Sequence, residues 1–386
     1  MRVLQFVIIT SVWFLTGCGT TPFGTSSDNT LDEDERRLWA AVTEEEKRID
    51  QSGLLYADSA VNDYLISVMH KLSPPGLTPD LLAIEVRVLK NPLLNAFAFP
   101  NGKIYVHTGM LARIENEAQL ATLLGHELTH ATHRHTIEEL RGVRRATTAL
   151  ATLHMIALPF GVFGLAATTL GTIGTLGSVT GYSRGKEQEA DEEGIRLMVK
   201  AGYSPQEAPK LFEHLKEEIG FRKVKEPYFF GSHPKIQDRI DSFRDLLKSK
   251  YADQRGEIGA DRYDAVMTPL VIDNAETDLA IGRFQLAQRD LERILSKQSR
   301  HARAHYLLGE VCRQRKGEGD AELSEKHYRQ AITVDPQLPA PHRALGYALL
   351  KRGDHQNAKA ELLKYLELAP QASDRAYVEQ ALKESP

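Results

Sequence analysis

The fold of the larger part of the chain is decided by the stretch from Ala118 to His130, which reads AQLATLLGHELTH. The residues before its first histidine are apolar and helix-favouring, as a buried helix requires. His126 and His130 are four residues apart, so on a helix their side chains lie about 40° apart around the axis and about 6 Å apart along it. Both imidazoles therefore face one point and can bind one zinc ion.

Glu127 lies beside these two histidines on the predicted helix. Its carboxylate can accept a proton from a water molecule whose acidity the metal raises, and can then pass that proton to a leaving amine. A bare H-E-x-x-H motif also occurs by chance on solvated helices, and the apolar run before it favours the metal site here. We therefore predict a metallopeptidase that binds one zinc ion and uses Glu127 as its catalytic base.

The third metal ligand has to come from elsewhere in the chain. Metzincins are excluded because His133 and Thr136 stand where that class has glycine and histidine. His133 and His135 are expected at the surface or behind the ligands. Glu187 and Asp191 share a helix face, so one can bind the metal while the other accepts a hydrogen bond from a ligand histidine. A solvated acidic face is the alternative that the pattern leaves open.

Four separated blocks resemble the HtpX / CaaX-prenyl-protease family of gluzincin zinc metallopeptidases, and most closely its periplasmic lipoprotein branch with C-terminal repeats. The blocks are Asn95 to Gly102 (NAFAFPNG), His126 to His130 with Arg134-His135, Ser183-Arg184 with Glu187 and Ala190-Asp191, and His233-Pro234 with Arg239-Ile240. They follow the family's order from Asn95 to Ile240.

The resemblance implies a role for each matched residue. Glu187 would be the third zinc ligand and Asp191 would support a ligand histidine. His233 would approach the metal, either as a fourth ligand that closes the site or as a group near the reacting carbonyl. Arg239 would orient that loop or stabilise developing negative charge. The strand made of Asn95, Ala96, Phe97, Ala98 and Phe99 would be an exposed edge to which a substrate peptide adds as a further strand.

The N-terminus predicts export and lipidation. Arg2 gives a short positive region, and Val3 to Phe14 is apolar but too short for a spanning helix. The following Leu-Thr-Gly-Cys resembles a bacterial lipoprotein signal, which implies cleavage before Cys18 and lipidation of that residue. An ordinary secretory signal with a chance cysteine is the alternative. Gly19 favours, by analogy with such lipoproteins, the inner leaflet of the outer membrane.

The C-terminal part of the chain is periodic. Pro336 and Pro370 are 34 residues apart, and Gly346 follows the first proline by ten residues. Gly309 takes the same place one unit earlier, with about three extra residues between the units. Small residues where paired helices touch, with proline at the end of the unit, resemble tetratricopeptide (TPR) repeats. A generic array of helical hairpins is the alternative, with almost the same consequence.

The predicted fold class is mainly α (α+β): a zincin-like metallopeptidase domain with a small β-sheet and an active-site helix, followed by an α-helical TPR array. The predicted segments are a signal peptide (1–17), a flexible tether (18–30), a metallopeptidase domain (31–251), a linker (252–266) and a TPR domain (267–386). The uncharged stretch 146–183 predicts a helical hairpin that either packs on the catalytic domain or contacts lipid.

The resemblance implies an endopeptidase that acts on misfolded or misassembled outer-membrane proteins in the bacterial periplasm, with the TPR array recruiting clients or an envelope partner. The net charge of -4 gives no strong basic field, so we expect no nucleic-acid partner. One alternative is an envelope chaperone or assembly factor whose metal site is latent because His233 closes it. Another is a TPR docking module on an inert domain, which would bind no zinc.

Overall fold

The computed structural model describes residues 22–23, 30–146, 182–221 and 236–384. The predicted lipidation site Cys18, the loop histidine His233 and nearly all of the predicted hairpin 146–183 lie outside these residues. Within the described ranges, no helix is both long enough and apolar enough to cross a bilayer.

A small sheet confirms the few strands that the sequence predicts. Its strands are β1 (Glu85–Leu89), β2 (Ala96–Ala98) and β3 (Lys103–His107), in the order β1-β3-β2. β1 runs parallel to β3, and β2 pairs antiparallel with β3 through the predicted hairpin. Gly102 adopts φ +90° in that hairpin turn, a backbone conformation that glycine adopts without steric cost.

Helices surround this sheet and form the rest of the described N-terminal part. They are α1 (Glu33–Gln51), α2 (Ser59–Leu72), α3 (Thr108–Arg113), α4 (Glu117–Thr132), α5 (His135–Ala146), α6 (Arg184–Lys200), α7 (Glu207–Phe221) and α8 (Ile236–Lys250). α4 carries the histidine motif and is buried on every side, and its polar residues are buried together with its apolar ones. It begins at a cap in which the Asn116 side chain accepts a hydrogen bond from the Gln119 backbone N–H at 2.9 Å.

Seven further helices follow, of which the first six form three hairpins and the last is a single terminal helix. They are α9 (Ala260–Ala280), α10 (Phe284–Lys297), α11 (Ala302–Arg315), α12 (Asp320–Val334), α13 (Pro339–Arg352), α14 (His355–Leu368) and α15 (Arg375–Glu384). The repeat shows in one recurring contact: the Nε2 of His305 lies 3.1 Å from the carbonyl oxygen of Ser299, and that of His342 lies 3.0 Å from that of Pro336. The inserted residues that lengthen the repeat unit around Gly309 fall between α11 and α12.

The first repeat hairpin is packed into the core of the N-terminal part. α9 begins at Ala260, inside the predicted linker, and Tyr263 is buried with its hydroxyl donating to the Leu111 carbonyl at 2.7 Å. A buried ion-pair cluster joins Arg113 of α3 to Asp278 of α9 and Asp290 of α10. The polar composition of residues 252–264 did not reveal these contacts, which the backbones of Glu257 and Ile258 extend by hydrogen bonds to Gly202, Ser204 and Ala118.

The predicted flexible tether is also corrected at one residue. Phe23 is buried, and its backbone N–H donates to the carbonyl of Thr132 at the end of α4, at 2.9 Å. Its ring lies 5.1 Å from the guanidinium carbon of Arg134 and 6.4 Å from the ring of Trp39. The Thr, Ser and Gly residues around it suggested flexibility. Burial of the Phe23 ring against an aromatic side chain and a guanidinium group stabilises this residue in a fixed position.

Candidate metal centre

Two glycines bring α4 and α6 into backbone contact. A Cβ atom on Gly125 would lie 3.1 Å from the carbonyl oxygen of Gly194, and a Cβ on Gly194 would lie 3.0 Å from the backbone nitrogen of His126. A side chain at either position would force the facing backbone to shift by a few tenths of an ångström, so the two helix axes approach more closely than larger residues would allow. This contact turns the acidic face of α6 towards the histidines of α4.

The histidine pair and one carboxylate converge at this contact. The Nε2 atoms of His126 and His130 are 3.0 Å apart, and the Glu187 carboxylate lies 3.3 Å from His130 Nε2 and 3.7 Å from His126 Nε2. All three side chains are buried. They form a candidate metal site, and no other such trio of His, Cys, Asp or Glu occurs among the residues that the structure describes.

The dimensions of the trio fit one small divalent ion. Zinc binds His nitrogen and carboxylate oxygen at about 2.0–2.2 Å in tetrahedral geometry, which places neighbouring ligand atoms about 3.3 Å apart. The distances of 3.0, 3.3 and 3.7 Å lie around that value. The structure thus decides between the two interpretations of the acidic face: Glu187 is buried against the histidines and is not solvated.

Asp191 holds the first histidine from behind. Its Oδ1 lies 2.9 Å from His126 Nδ1, and the other ring nitrogen, Nε2, faces His130 and Glu187. Arg239 of α8 donates to both oxygens of Asp191, at 2.6 and 3.0 Å, and lies over the ring of Phe212 at 4.1 Å. Burial lowers the pKa of Arg239, but the charges of Asp191 and Glu187 outweigh burial and raise it. Arg239 is therefore a fixed cation behind the ligands.

A different pair of groups holds the second histidine. The Nδ1 of His130 lies 2.9 Å from the Nδ1 of His135, and the ring of Tyr182 stacks on His130 with centroids 3.8 Å apart. The Tyr182 hydroxyl is 3.0 Å from Thr136 Oγ1. Burial, followed by the nearby His130 and His133, lowers the pKa of His135 to about 2, so this ring is neutral.

Glu127, the predicted base, is buried beside the trio at 1% exposure. It lies close enough to Tyr182 for its charge to act there: burial raises the pKa of the Tyr182 hydroxyl, and Glu127 and Glu187 add to that rise. The structure therefore brings together five of the predicted site residues, namely His126, Glu127, His130, Glu187 and Asp191, with Arg239 behind them.

The strand predicted to bind substrate needs a correction. β2 does lie at an edge of the sheet, and no described strand pairs with its outer side. However, every side chain from Asn95 to Phe99 is buried, so the strand is not exposed in the sense expected. The reason is that Phe97 and Phe99 pack with Tyr105 in a second hydrophobic core beneath α1 and α5.

The backbone of β2 has N–H and C=O groups that do not pair with β3. The His107 N–H donates to the Asn95 carbonyl at 3.0 Å, and the Phe99 N–H donates to the Lys103 carbonyl at 2.7 Å. In an antiparallel pair the hydrogen-bonded positions alternate with positions whose N–H and C=O point away from the partner. The two alanines of β2 occupy those alternate positions and direct their backbone groups to the outer edge, but as whole residues they are only 0% and 5% exposed, so these groups are covered in this structure.

Sequence reasoning missed the residues that shape the site without binding metal. Gly125 and Gly194 could have been found as glycines inside strongly helical patterns, which usually mark close packing. Tyr182 directly precedes the block that contains Glu187, and His135 was noted only as a residue at the surface or behind the ligands. The ring of Tyr182 stacks on a residue distant in sequence, and His135 lies beyond the turn that ends α4, so no helical periodicity indicates either contact.

Comparison with known proteins agrees with this geometry. Residues 59–247 match the model of peptidase family M48, and residues 272–339 and 317–373 match a tetratricopeptide repeat model. Among curated relatives, a putative beta-barrel assembly-enhancing protease of Vibrio cholerae is 28% identical over 232 residues, which cover 58% of this chain and 46% of that protein. The Escherichia coli K12 beta-barrel assembly-enhancing protease is 28% identical over 194 residues, covering 49% and 36%.

A third relative is the mitochondrial metalloendopeptidase OMA1 of Arabidopsis thaliana, 37% identical over 131 residues that cover 34% of this chain and 25% of that protein. The chain thus spans less than half the length of these relatives. Among solved structures, MamA from Desulfovibrio magneticus covers 49% of this chain at 18% identity, with a TM-score of 0.25 that supports no argument. The chain therefore contains a peptidase M48 domain over residues 59–247, followed by C-terminal tetratricopeptide repeats.

Proposed function

We propose that this protein is a zinc-dependent endopeptidase of the bacterial envelope. The observation that carries the proposal is the buried convergence of His126, His130 and Glu187, with Glu127 next to them on the same helix. Family M48 supports a metallopeptidase, and the donor set of two imidazoles and one carboxylate is that of catalytic zinc sites. His126, His130 and Glu187 would hold the ion.

The residues of the chain then divide the work of peptide hydrolysis. Zinc, when bound, supplies Lewis acidity that polarises a carbonyl and lowers the pKa of water. Glu127 takes the proton from the attacking water and gives it to the leaving amine. Asp191 and Arg239 keep His126 in the orientation that directs Nε2 at His130 and Glu187. The buried surroundings strengthen each of these electrostatic interactions.

The substrate is proposed to be an extended, unfolded polypeptide. A peptide that adds to the sheet edge would hydrogen-bond the outward backbone groups of Ala96 and Ala98 on β2, after the groups that cover these buried residues move aside. Such binding uses only backbone groups, so it selects for unfolded chain and against folded protein. Because two relatives are named for beta-barrel assembly, misassembled outer-membrane proteins are the proposed client class. The TPR array would recruit these clients or an envelope partner.

Lipid anchoring through Cys18 would place the site close to the membrane. Phe23 docks at the end of α4, and it follows Cys18 by only five residues. Five extended residues span at most about 18 Å, so the end of the active-site helix would stay within that distance of the anchor. We propose the periplasmic face of the outer membrane as the location, on the lipoprotein signal and the residue after it.

The deciding experiment compares wild type with Glu127→Gln for zinc content and for degradation of an unfolded outer-membrane protein. Both proteins should bind one zinc ion. Glu127→Gln should degrade the client about 10³-fold more slowly, because removal of a general base costs about 10²–10⁴-fold. Equal degradation rates would refute the catalytic assignment, and absence of zinc from wild type would refute the metal site.

An envelope chaperone or assembly factor is the second candidate function. It is favoured by the burial of the site, since His126, Glu127 and His130 are each 1% exposed, whereas a catalytic zinc needs an open position. His233 would be the group that closes the site. Complementation of a null strain separates the two functions: rescue by Glu127→Gln supports the chaperone, and failure to rescue supports the peptidase.

A further inference from the structure

The two candidate ligand histidines are supported from behind by groups of different chemistry. His126 Nδ1 lies 2.9 Å from a carboxylate oxygen of Asp191, whereas His130 Nδ1 lies 2.9 Å from another imidazole nitrogen, Nδ1 of His135. His135 is itself buried at 1% exposure and begins α5, directly after the turn that ends α4. Nothing in the proposed reaction uses this third histidine.

The short distance between the Nδ1 atoms of His130 and His135 restricts where the protons of the two rings can lie. Two imidazole nitrogens 2.9 Å apart need one proton between them, so one donates and the other accepts. A neutral imidazole that binds a metal through Nε2 carries its proton on Nδ1. With the metal bound at His130 Nε2, His130 would be the donor and His135 Nδ1 the acceptor, which would place the remaining proton of His135 on Nε2.

The second nitrogen of His135 faces a carboxylate. Its Nε2 lies 3.4 Å from Oε2 of Glu189, whose side chain is half exposed. Glu189 belongs to α6, the helix that also supplies Glu187 and Asp191. This contact is at ion-pair distance and is not a hydrogen bond, since His135 Nε2 makes none among the described residues. We propose that His135 is a positioning residue that holds His130 in the tautomer and orientation needed for metal binding.

This arrangement makes the two ligand histidines unequal. His126 is backed by a charged acceptor that Arg239 also holds, and His130 is backed by a neutral acceptor and the stacked ring of Tyr182. Hydrogen bonds to charged groups are roughly twice as strong as those between neutral groups. Loss of the His135 acceptor should therefore weaken metal binding less than loss of the Asp191 carboxylate does.

The test measures zinc affinity by chelator competition on the full chain, together with the melting temperature of the zinc-free protein. His135→Phe keeps a ring but removes the acceptor, and should weaken zinc binding about tenfold, at the lower end of the 10–100-fold cost of such partners. His135→Asn should recover most of the affinity, because its amide oxygen takes the place of Nδ1. Asp191→Asn should lose more than His135→Phe.

His133→Phe is the matched control. His133 also lies near Glu189, with its Nε2 3.8 Å from Oε1 of that residue, but its ring is partly exposed. It should leave zinc affinity unchanged. The inference is overturned if His135→Phe binds zinc as wild type does, or if His135→Asn is as weak as His135→Phe with an equal fall in the zinc-free melting temperature. The inference rests on the proposed metal site: zinc-free wild type would remove both, whereas normal wild-type binding with an unaffected His135→Phe removes only this one.

Discussion

Glycine serves opposite purposes in the two parts of this molecule. Between α4 and α6, Gly125 and Gly194 face each other and bring two backbones together. Between α11 and α12, Gly309 faces a side chain: a Cβ there would lie 2.6 Å from Cδ1 of Tyr328. Between α13 and α14, a Cβ on Gly346 would lie 2.6 Å from Cγ of Leu362.

The glycine contacts of the two regions differ in the property that they support, which is the geometry of the site in one and core packing in the other. In the N-terminal part, missing side chains on both helices let residues from two helices reach one ion. In the repeats, the missing side chain of one helix is filled by a large side chain of the next, which is ordinary core packing. Substitution of glycine should therefore cost activity in the first region and stability in the second.

Gly194→Ala should give the largest effect. Its Cβ would lie 3.0 Å from the backbone nitrogen of His126, and backbone cannot move aside as a side chain can. The two helices must separate, which shifts Glu187 away from the histidines. A displacement of about 1 Å at a catalytic site costs about 100-fold in rate, and relief of this contact needs a few tenths of an ångström, so peptidase activity should fall by about 10- to 100-fold. Peptide hydrolysis and zinc affinity measure the change.

The matched control is Gly185→Ala in the same helix, where a Cβ would meet nothing within 4 Å. That variant should retain wild-type activity. If Gly194→Ala and Gly185→Ala hydrolyse peptide equally fast, the close backbone contact does not position the site, and the comparison between the two regions fails.

Gly309→Ala should be the next in size and should act on stability. The added methyl group overlaps the ring of Tyr328, which is fully buried and fixed by a hydrogen bond from its hydroxyl to Glu310 at 2.8 Å. Overpacking of this kind costs about 1–3 kcal/mol, and we expect about 2 kcal/mol less free energy of unfolding. Urea denaturation measures it, and hydrolysis of a short peptide should stay unchanged.

A double variant sharpens this prediction. Gly309→Ala combined with Tyr328→Leu removes the ring that the methyl group would meet. Its destabilisation should be clearly smaller than the sum of the two single variants, because the sites share one contact. Strict additivity would mean that the overlap at this position costs nothing.

Gly346→Ala should give the smallest effect, about 1 kcal/mol less free energy of unfolding. Its methyl group would meet the branched end of Leu362, a flexible side chain in a small cluster near the end of the array. Alanine also favours the helix over glycine by about 0.5–1 kcal/mol, which offsets part of the overlap. A loss as large as that of Gly309→Ala would contradict the view that the end of the array can adjust.

Local patterns in the sequence predicted much of this fold. The spacing of His126 and His130 placed both imidazoles on one face, and the 34-residue period indicated the TPR repeats that the family comparison bears out. The mainly helical fold with a small sheet was confirmed as well. Each of these features repeats over a few residues, so short-range geometry is enough to define it.

Three positions show where that reasoning stopped. Tyr263 fell in a polar stretch predicted to be a linker, and Phe23 in a predicted tether, yet both side chains are buried. The strand from Asn95 to Phe99 was expected to be exposed, and it is covered on both faces. In each case the partner surface comes from a distant part of the chain, so the local composition contained no information about it.

The sequence by itself determined which residues could do chemistry. These were two histidines and a glutamate at helical spacing, and an acidic helix face whose packing partner the sequence did not indicate. Only the tertiary structure decided that Glu187 turns inward, that Asp191 and His135 stand behind different histidines, and that two glycines bring the helices together. The physical reason is that periodicity tells which side of a helix is special, whereas the group that this side meets depends on the shapes of two surfaces packed against each other.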